Sequence, residues 1–268
     1  MNAPGEQGLF AGFVIPGPEK RKVLIRGLGP TLRRFGVGSP LEGTQLAVVA
    51  GDGRTVAFNA GWDAFPFSSV AAKPADFLAV GAFALEPGTQ DSAVVVELAP
   101  GAYTASLNGT FDFANQKPGV GVGLIELYEY DNRSDRLSNL SARVMVGVGG
   151  EAAIPGFAVR GPVAKRLLVR AVGPGLAAFG IGAPLANPRL EVRDEGGRVV
   201  VENEDWNDDL PGAAAVRQAG ASVGAFALAE GSRDAARVVT VSPGNYTLVV
   251  NGPPGASGIA LVEVYELP

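Results

Sequence analysis

With neither cysteine nor histidine in the chain, chemistry could rest only on carboxylates, hydroxyls, arginines and two indoles. That absence removes a thiol nucleophile, an imidazole base, a Cys/His zinc site and any disulfide framework. A serine nucleophile would need a base other than histidine. Asp208 and Asp209 are adjacent acids, but a glycosidase needs two carboxylates flanking a cleft, and these share one loop. The string "GVGVGL" from Gly119 suggests a phosphate loop. It leads into a strand instead of a helix, so the dinucleotide fingerprint fails. No catalytic residue is assigned, and an enzyme is not expected.

Two constellations remain for binding. The loop "ENEDWNDD" (Glu202 to Asp209) is the most charged spot in the chain. Asn203, Asp205, Asp208 and Asp209 offer oxygen ligands to a hard cation such as Ca2+. Their spacing fits no EF-hand loop. The related stretch "FNAGWDAF" keeps only Asp63, so a calcium site would belong to the second half alone. Trp62 and Trp206 occupy equivalent loop positions. Exposed, they would be stacking platforms for a sugar ring; packed inward, they would plug the corners of the fold.

The elements that must position these groups come from a long internal repeat. "VLIRGLGPTLRRFGVGSPL" from Val23 returns as "LLVRAVGPGLAAFGIGAPL" from Leu167. Arg26 and Arg170, Pro30 and Pro174, Phe35 and Phe179, Trp62 and Trp206 are each 144 residues apart. "GAFAL" recurs after 143 residues, and "GLIELYEY" returns as "ALVEVYEL" after 137. The shortfall places a hairpin-loop insertion at "TFDFANQKPGVG". A repeat of this length is a domain, not a solenoid unit.

Within each copy the apolar runs are short, rich in Val, Leu and Tyr, and closed by Gly, Pro or Asn. "AGDGRTV" and "RDEGGRVV" are tight-turn signals. In "LVEVYE", Val262 and Val264 share one face while Glu263 and Tyr265 share the other. Helix signals are confined to "GPTLRRFG", "GPGLAAFG" and "PGAAAVRQAG". The expected fold is all-β: two tandem β-sandwich domains of jelly-roll or Ig-like type from an internal duplication, with seven to nine strands each. The expected boundaries are 1–131 and 136–268, with the polar linker 132–135 between them. Phe35 and Phe179 are expected to plug the core.

Polar residues present in both copies are Arg26/Arg170, Asn59/Asn203, Asp91/Asp234, Asn108/Asn251 and Glu126/Glu263. An Arg in mid-strand with acids elsewhere suggests partly buried ion pairs built from Arg26, Asp91 and Glu126, and from Arg170, Asp234 and Glu263. The asparagines suit turns. The copies differ at their start. "RLSNLSARVMVGVGG" precedes "GFAV" in copy 2, with Leu137, Leu140, Val144 and Val146 set for a strand. Copy 1 offers only "MNAPGEQGLFA". Copy 1 is therefore expected to lack a strand and to leave a sheet edge open, a pairing template. A preceding domain, a second chain or nothing fills it.

Net charge is −5 with charged residues at 18%. An acidic chain without a basic stripe makes a poor nucleic-acid partner. No run of 18 apolar residues suggests a membrane span. "MNAPGEQGLF" lacks the regions of a signal peptide, so an exported protein would present this chain in trimmed form.

The phrases "VLIRGLGPTL", "VGAFAL", "PGNYT" and "ALVEVYEL" together resemble a repeat of large secreted or surface proteins of environmental bacteria. "LEVRDEGGRVVVENEDW" with "SPGNYTLVV" is similar to the bacterial pre-peptidase C-terminal domain, a small β-sandwich appended to exported enzymes. Some of its relatives bind Ca2+ in acidic loops. The resemblance implies an extracellular or cell-surface location and an accessory role. The expected function is a non-catalytic structural module that self-associates, or joins neighbouring domains, in a surface layer, stalk or filament. The alternative is an accessory module binding polysaccharide or another surface polymer. No cofactor is expected beyond Ca2+ in copy 2.

Overall fold

The computed structural model describes residues 8–63, 70, 72–112, 116–130, 137–147 and 152–268; the linker 132–135 lies outside them. The fold is all-β with antiparallel sheets. The chain divides into two compact units, Met1–Leu137 and Ser138–Pro268.

The first unit contains β1 (Leu9–Ile15), β2 (Arg21–Leu28), β3 (Thr44–Ala50), β4 (Thr55–Asn59), β5 (Ser92–Leu98), β6 (Gly101–Gly109) and β9 (Leu124–Glu129). Between β6 and β9, the two-residue strands β7 (Phe111–Asp112) and β8 (Lys117–Pro118) pair as a small hairpin where the sequence places its insertion. One sheet runs β1-β6-β3-β4 and the other β5-β2-β9.

The second unit contains β10 (Asn139–Val146), β11 (Gly156–Val159), β12 (Lys165–Val172), β13 (Arg189–Asp194), β14 (Val199–Asn203), β15 (Ala235–Val241), β16 (Gly244–Asn251) and β17 (Gly258–Glu266). Its sheets run β11-β16-β13-β14 and β15-β12-β17-β10. Apart from the β7–β8 hairpin, each strand of the first unit has a counterpart in the second, which adds β10.

The repeated phrase acquires its physical reason here. β2 is buried on both faces except at Lys22, which is why "VLIRGL" reads as a run and not an alternation. On one face Val23 and Ile25 join Leu46, Val48, Val94 and Leu107 between the sheets. On the other, Leu24 and Leu28 pack with Leu32, Trp62, Phe77 and Leu85. That outer layer includes helix α1 (Pro74–Ala79). In the second unit Leu168 and Val172 pack against Trp206 and helix α2 (Leu210–Ser222) in the same manner. α2 falls where "PGAAAVRQAG" predicts it, whereas α1 has only six residues and no periodicity to reveal it.

Each "GP" opens a 3-10 turn, Pro30–Phe35 and Pro174–Phe179. Proline suits the first turn, and Gly36 and Gly180 take the left-handed conformation that ends it, with φ of 81° and 76°. Gly173 is required by proximity: a Cβ there would stand 2.1 Å from the Leu185 carbonyl oxygen. Phe35 and Phe179, expected in the core, are each 61% exposed. They lie over Phe83 and Phe226, at centroid distances of 5.2 and 4.9 Å. Leu137, expected in a strand, precedes β10 and packs against the first unit's core.

Candidate functional site

Apart from Asn108, which is exposed, and Asn251, which is half-buried, the polar groups repeated in the two units are interior struts. Arg26 is fully buried on the outer face of β2. Its Nε donates to Glu126 Oε2 at 2.8 Å and its Nη1 to the Phe83 carbonyl at 2.5 Å. The guanidinium also lies 4.1 Å from the Phe83 ring centroid. Arg170 repeats this with the Phe226 carbonyl at 2.7 Å and the Phe226 ring at 4.2 Å. Its Nε stands 2.8 Å from Glu263 Oε2 but off the N–H line, so this is a contact ion pair instead of an aligned hydrogen bond.

Tyrosines complete both clusters. Tyr128 donates to Glu126 Oε1 at 3.1 Å and Tyr265 to Glu263 Oε1 at 2.6 Å. Burial, reinforced by the Glu126 charge, pushes the Tyr128 hydroxyl up to about 12. Burial and Glu263 push Tyr265 upward as well. These phenols are donors that hold the carboxylates; the arrangement ties "GAFAL" to the sheet.

Asp91 and Asp234, grouped with the ion pairs in the sequence reading, instead cap the Gly-Pro turns. Asp91 accepts from the Gly29 and Thr31 amides at 2.8 and 3.3 Å and from the Thr31 hydroxyl at 2.6 Å. Asp234 accepts from the Gly173 and Gly175 amides at 2.8 and 3.1 Å and from Ser232 Oγ at 2.7 Å. A buried carboxylate surrounded by donors needs no cation beside it. Asn59 and Asn203 each accept from a strand amide, Ala93 and Ala236, through their Oδ1 atoms.

The proposed stacking platforms are interior too. Trp62 is 5% exposed and Trp206 1%. Trp62 Nε1 donates to the Glu86 carbonyl at 3.2 Å, and Trp206 Nε1 to Ser232 Oγ at 3.2 Å. Phe77 covers one indole and Arg217 the other. With both faces enclosed, neither ring can stack on a sugar, and the polymer-binding reading loses its platform.

Three of the four calcium candidates have their oxygens engaged by other groups. Arg237 donates to Asp209 Oδ2 at 2.5 Å and to Asp208 Oδ1 at 2.9 Å. Asp209 also caps α2, accepting from the Gly212 amide at 2.6 Å. That amide first, and Arg237 second, hold its carboxyl below the usual range. Asn203 turns its Oδ1 to the sheet and its amide to the Asp205 carbonyl. Arg237 thus takes up the Asp208 and Asp209 carboxylates, Asp205 Oδ1 is buried without a hydrogen-bond partner, and no group of three metal-binding side chains occurs among the described residues.

Two further features escaped the sequence reading. Gly220-Ala221-Ser222-Val223-Gly224 spells G-x-S-x-G. The nucleophile elbow needs a strand-to-helix turn, but Ser222 ends α2 and donates to the Ala219 carbonyl. Beside Phe179 and Phe226, a hollow of about 270 Å³ is lined by Pro174, Ala178, Ala227 and Ala229. It contains no acid or base.

What remains is a sheet edge. β9 and β17 occupy matching places: Glu126 lies opposite Arg26 and Glu263 opposite Arg170, and Tyr128 opposite Leu24 and Tyr265 opposite Leu168. β17 is covered on its other side by β10, from Asn139↔Tyr265 to Val146↔Gly258. No described strand pairs with the other side of β9. The exposure follows. The Glu126 side chain is 18% exposed against 6% for Glu263. Ile125 is half-buried where Val262 is buried. Leu124 and Val122 are 39% and 51% exposed.

No family model matches the chain, and no curated protein matches it. Among solved structures it is similar to the CUB1-EGF-CUB2 domain of human MASP-1/3, with 8% identity over 98% of this chain and 94% of that one, at a TM-score of 0.21. It is also similar to VP2 of infectious bursal disease virus, with 9% identity over 97% and 68%, at 0.19. PNGase F from Flavobacterium meningosepticum follows, with 10% identity over 97% and 90%, at 0.16. Likeness at this level does not amount to a shared fold. Among the described residues, no helix is long and apolar enough to cross a membrane.

Proposed function

We propose that this chain is a non-catalytic structural module that assembles with units of its own kind through a sheet edge, as part of a layer, stalk or filament outside the cell. Its two β-sandwich units stem from one duplicated ancestor; the matching strand orders and the repeated Arg–Glu–Tyr clusters support this. The observation that carries the functional reading is the edge of β9 that no described strand covers, set against the covered edge of β17. Soluble proteins blunt or cover such edges because an exposed row of amides and carbonyls recruits another strand. β9 presents Leu124 beside its edge, with Val122 just before it.

Light scattering over a range of concentrations tests the reading. The chain is expected to exceed its 27.4 kDa mass as concentration rises. Val122→Lys/Leu124→Lys, which adds charge at two already exposed positions, is expected to stay monomeric. A wild-type monomer at every concentration, or equal association of the lysine variant, overturns the reading.

A further inference from the structure

We infer that the β9 edge accepts an antiparallel strand of the β10 pattern carried by another repeat unit, in the register that β10 adopts on β17. The inference rests on the reading of β9 as an assembly edge and adds the identity of what it takes up.

The register follows from the match between β9 and β17, which are offset by 137 residues. On β17, Leu140, Ala142 and Val144 lie opposite Val264, Val262 and Ala260. Val144 and Val146 join the core between the sheets. Transposed to β9, the same strand sets Leu140 opposite Leu127, Ala142 opposite Ile125 and Val144 opposite Gly123. Ile125 and Leu127 are only partly buried and already pack on the first unit's core. The other face is complementary in charge: Ser141 comes opposite Glu126, and Arg143 falls one pair further along on that face. The Glu126 side chain is also more exposed than its counterpart, 18% against 6% for Glu263. A β9–β9 pairing that sets Ile125 against Leu127 would instead bring Glu126 against Glu126, and like charges directly opposite are destabilising. Main-chain bonding supplies affinity in such strand addition, and alternating side chains supply selectivity.

The chain contains no cysteine, so one engineered thiol reports register without background. The probe is a labelled peptide of residues 138–147, added to the wild-type chain and to a Leu127→Cys variant. Saturable binding is expected by fluorescence anisotropy, weakened at least tenfold by Val122→Lys/Leu124→Lys. A peptide with Leu140→Cys is expected to cross-link to Leu127→Cys on oxidation. Peptides with Asn139→Cys or Ser141→Cys, displaced by one residue onto the other face, should react at least tenfold less. Absence of saturable binding to the wild-type chain, or equal cross-linking of all three peptides, overturns the inference. A chain that stays monomeric yet takes the peptide in this register overturns self-association and upholds the strand assignment. Concentration-dependent assembly that the lysines abolish and the peptide leaves untouched overturns the strand assignment alone.

Discussion

At the scale of single residues, the groups that looked chemical turn out to hold the fold. Arg170 and Glu263 have side chains 2% and 6% exposed. Breaking such a pair strands a charge in the interior, at a cost of roughly 3–5 kcal/mol, whereas replacing both partners by apolar or neutral groups is far milder. Arg170→Ala should therefore lower the urea midpoint strongly, and Arg170→Met/Glu263→Gln should recover most of the loss. Tyrosine ionisation gives a second test. Burial pushes Tyr128 up to about 12, and Tyr130 and Tyr265 are also raised. Because these folded-state values lie above the unfolded one, their contribution is complete below pH 10 and is lost as pH rises through the folded values. Absorbance at alkaline pH should show late-ionising tyrosines whose titration coincides with unfolding. The pairing of Arg26 with Glu126 was legible in sequence because both recur. The capping role of Asp91 was not, since it depends on a turn 60 residues away.

At the scale of elements, the Gly-Pro turns depend on a distant carboxylate. Asp234→Ala would leave the Gly173 and Gly175 amides and the Ser232 hydroxyl without their acceptor. At about 1–3 kcal/mol per stranded group, the loss should be at least about 3 kcal/mol in chemical denaturation. Helix α2 supplies the metal test. With Asp208 and Asp209 engaged by Arg237, adding Ca2+ or a chelator should leave the melting temperature unchanged; a rise with Ca2+ would restore the calcium reading. Strand positions were readable from short Val-rich runs and turn residues. Phe35 and Phe179 were misread as core plugs because recurrence in both copies does not distinguish an exposed ring from a buried one.

At the scale of the whole molecule, each unit has its own two apolar clusters, one on each face of its β2 or β12 sheet. A fragment of residues 138–268 contains both sheets of the second unit, β10 included. It is expected to fold alone, with a cooperative calorimetric transition and dispersed amide resonances. The full chain should show a further transition at lower temperature, from the unit whose β9 edge is covered by no described strand. A fragment without cooperative unfolding would refute the independence of the second unit.

The sequence by itself determined the all-β character, the repeat and its 144-residue spacing, and the extra leading strand of the second copy. These are written in local patterns: strand-length apolar runs, turn residues, and the comparison of one half with the other. Only the tertiary structure decided that both tryptophans are interior, that Asp208 and Asp209 are matched to Arg237, and that among the described strands β9 is the one left at the edge that β10 covers on β17. Each of those depends on which side chains from distant segments meet across a sheet, and burial and partnership are properties of that meeting.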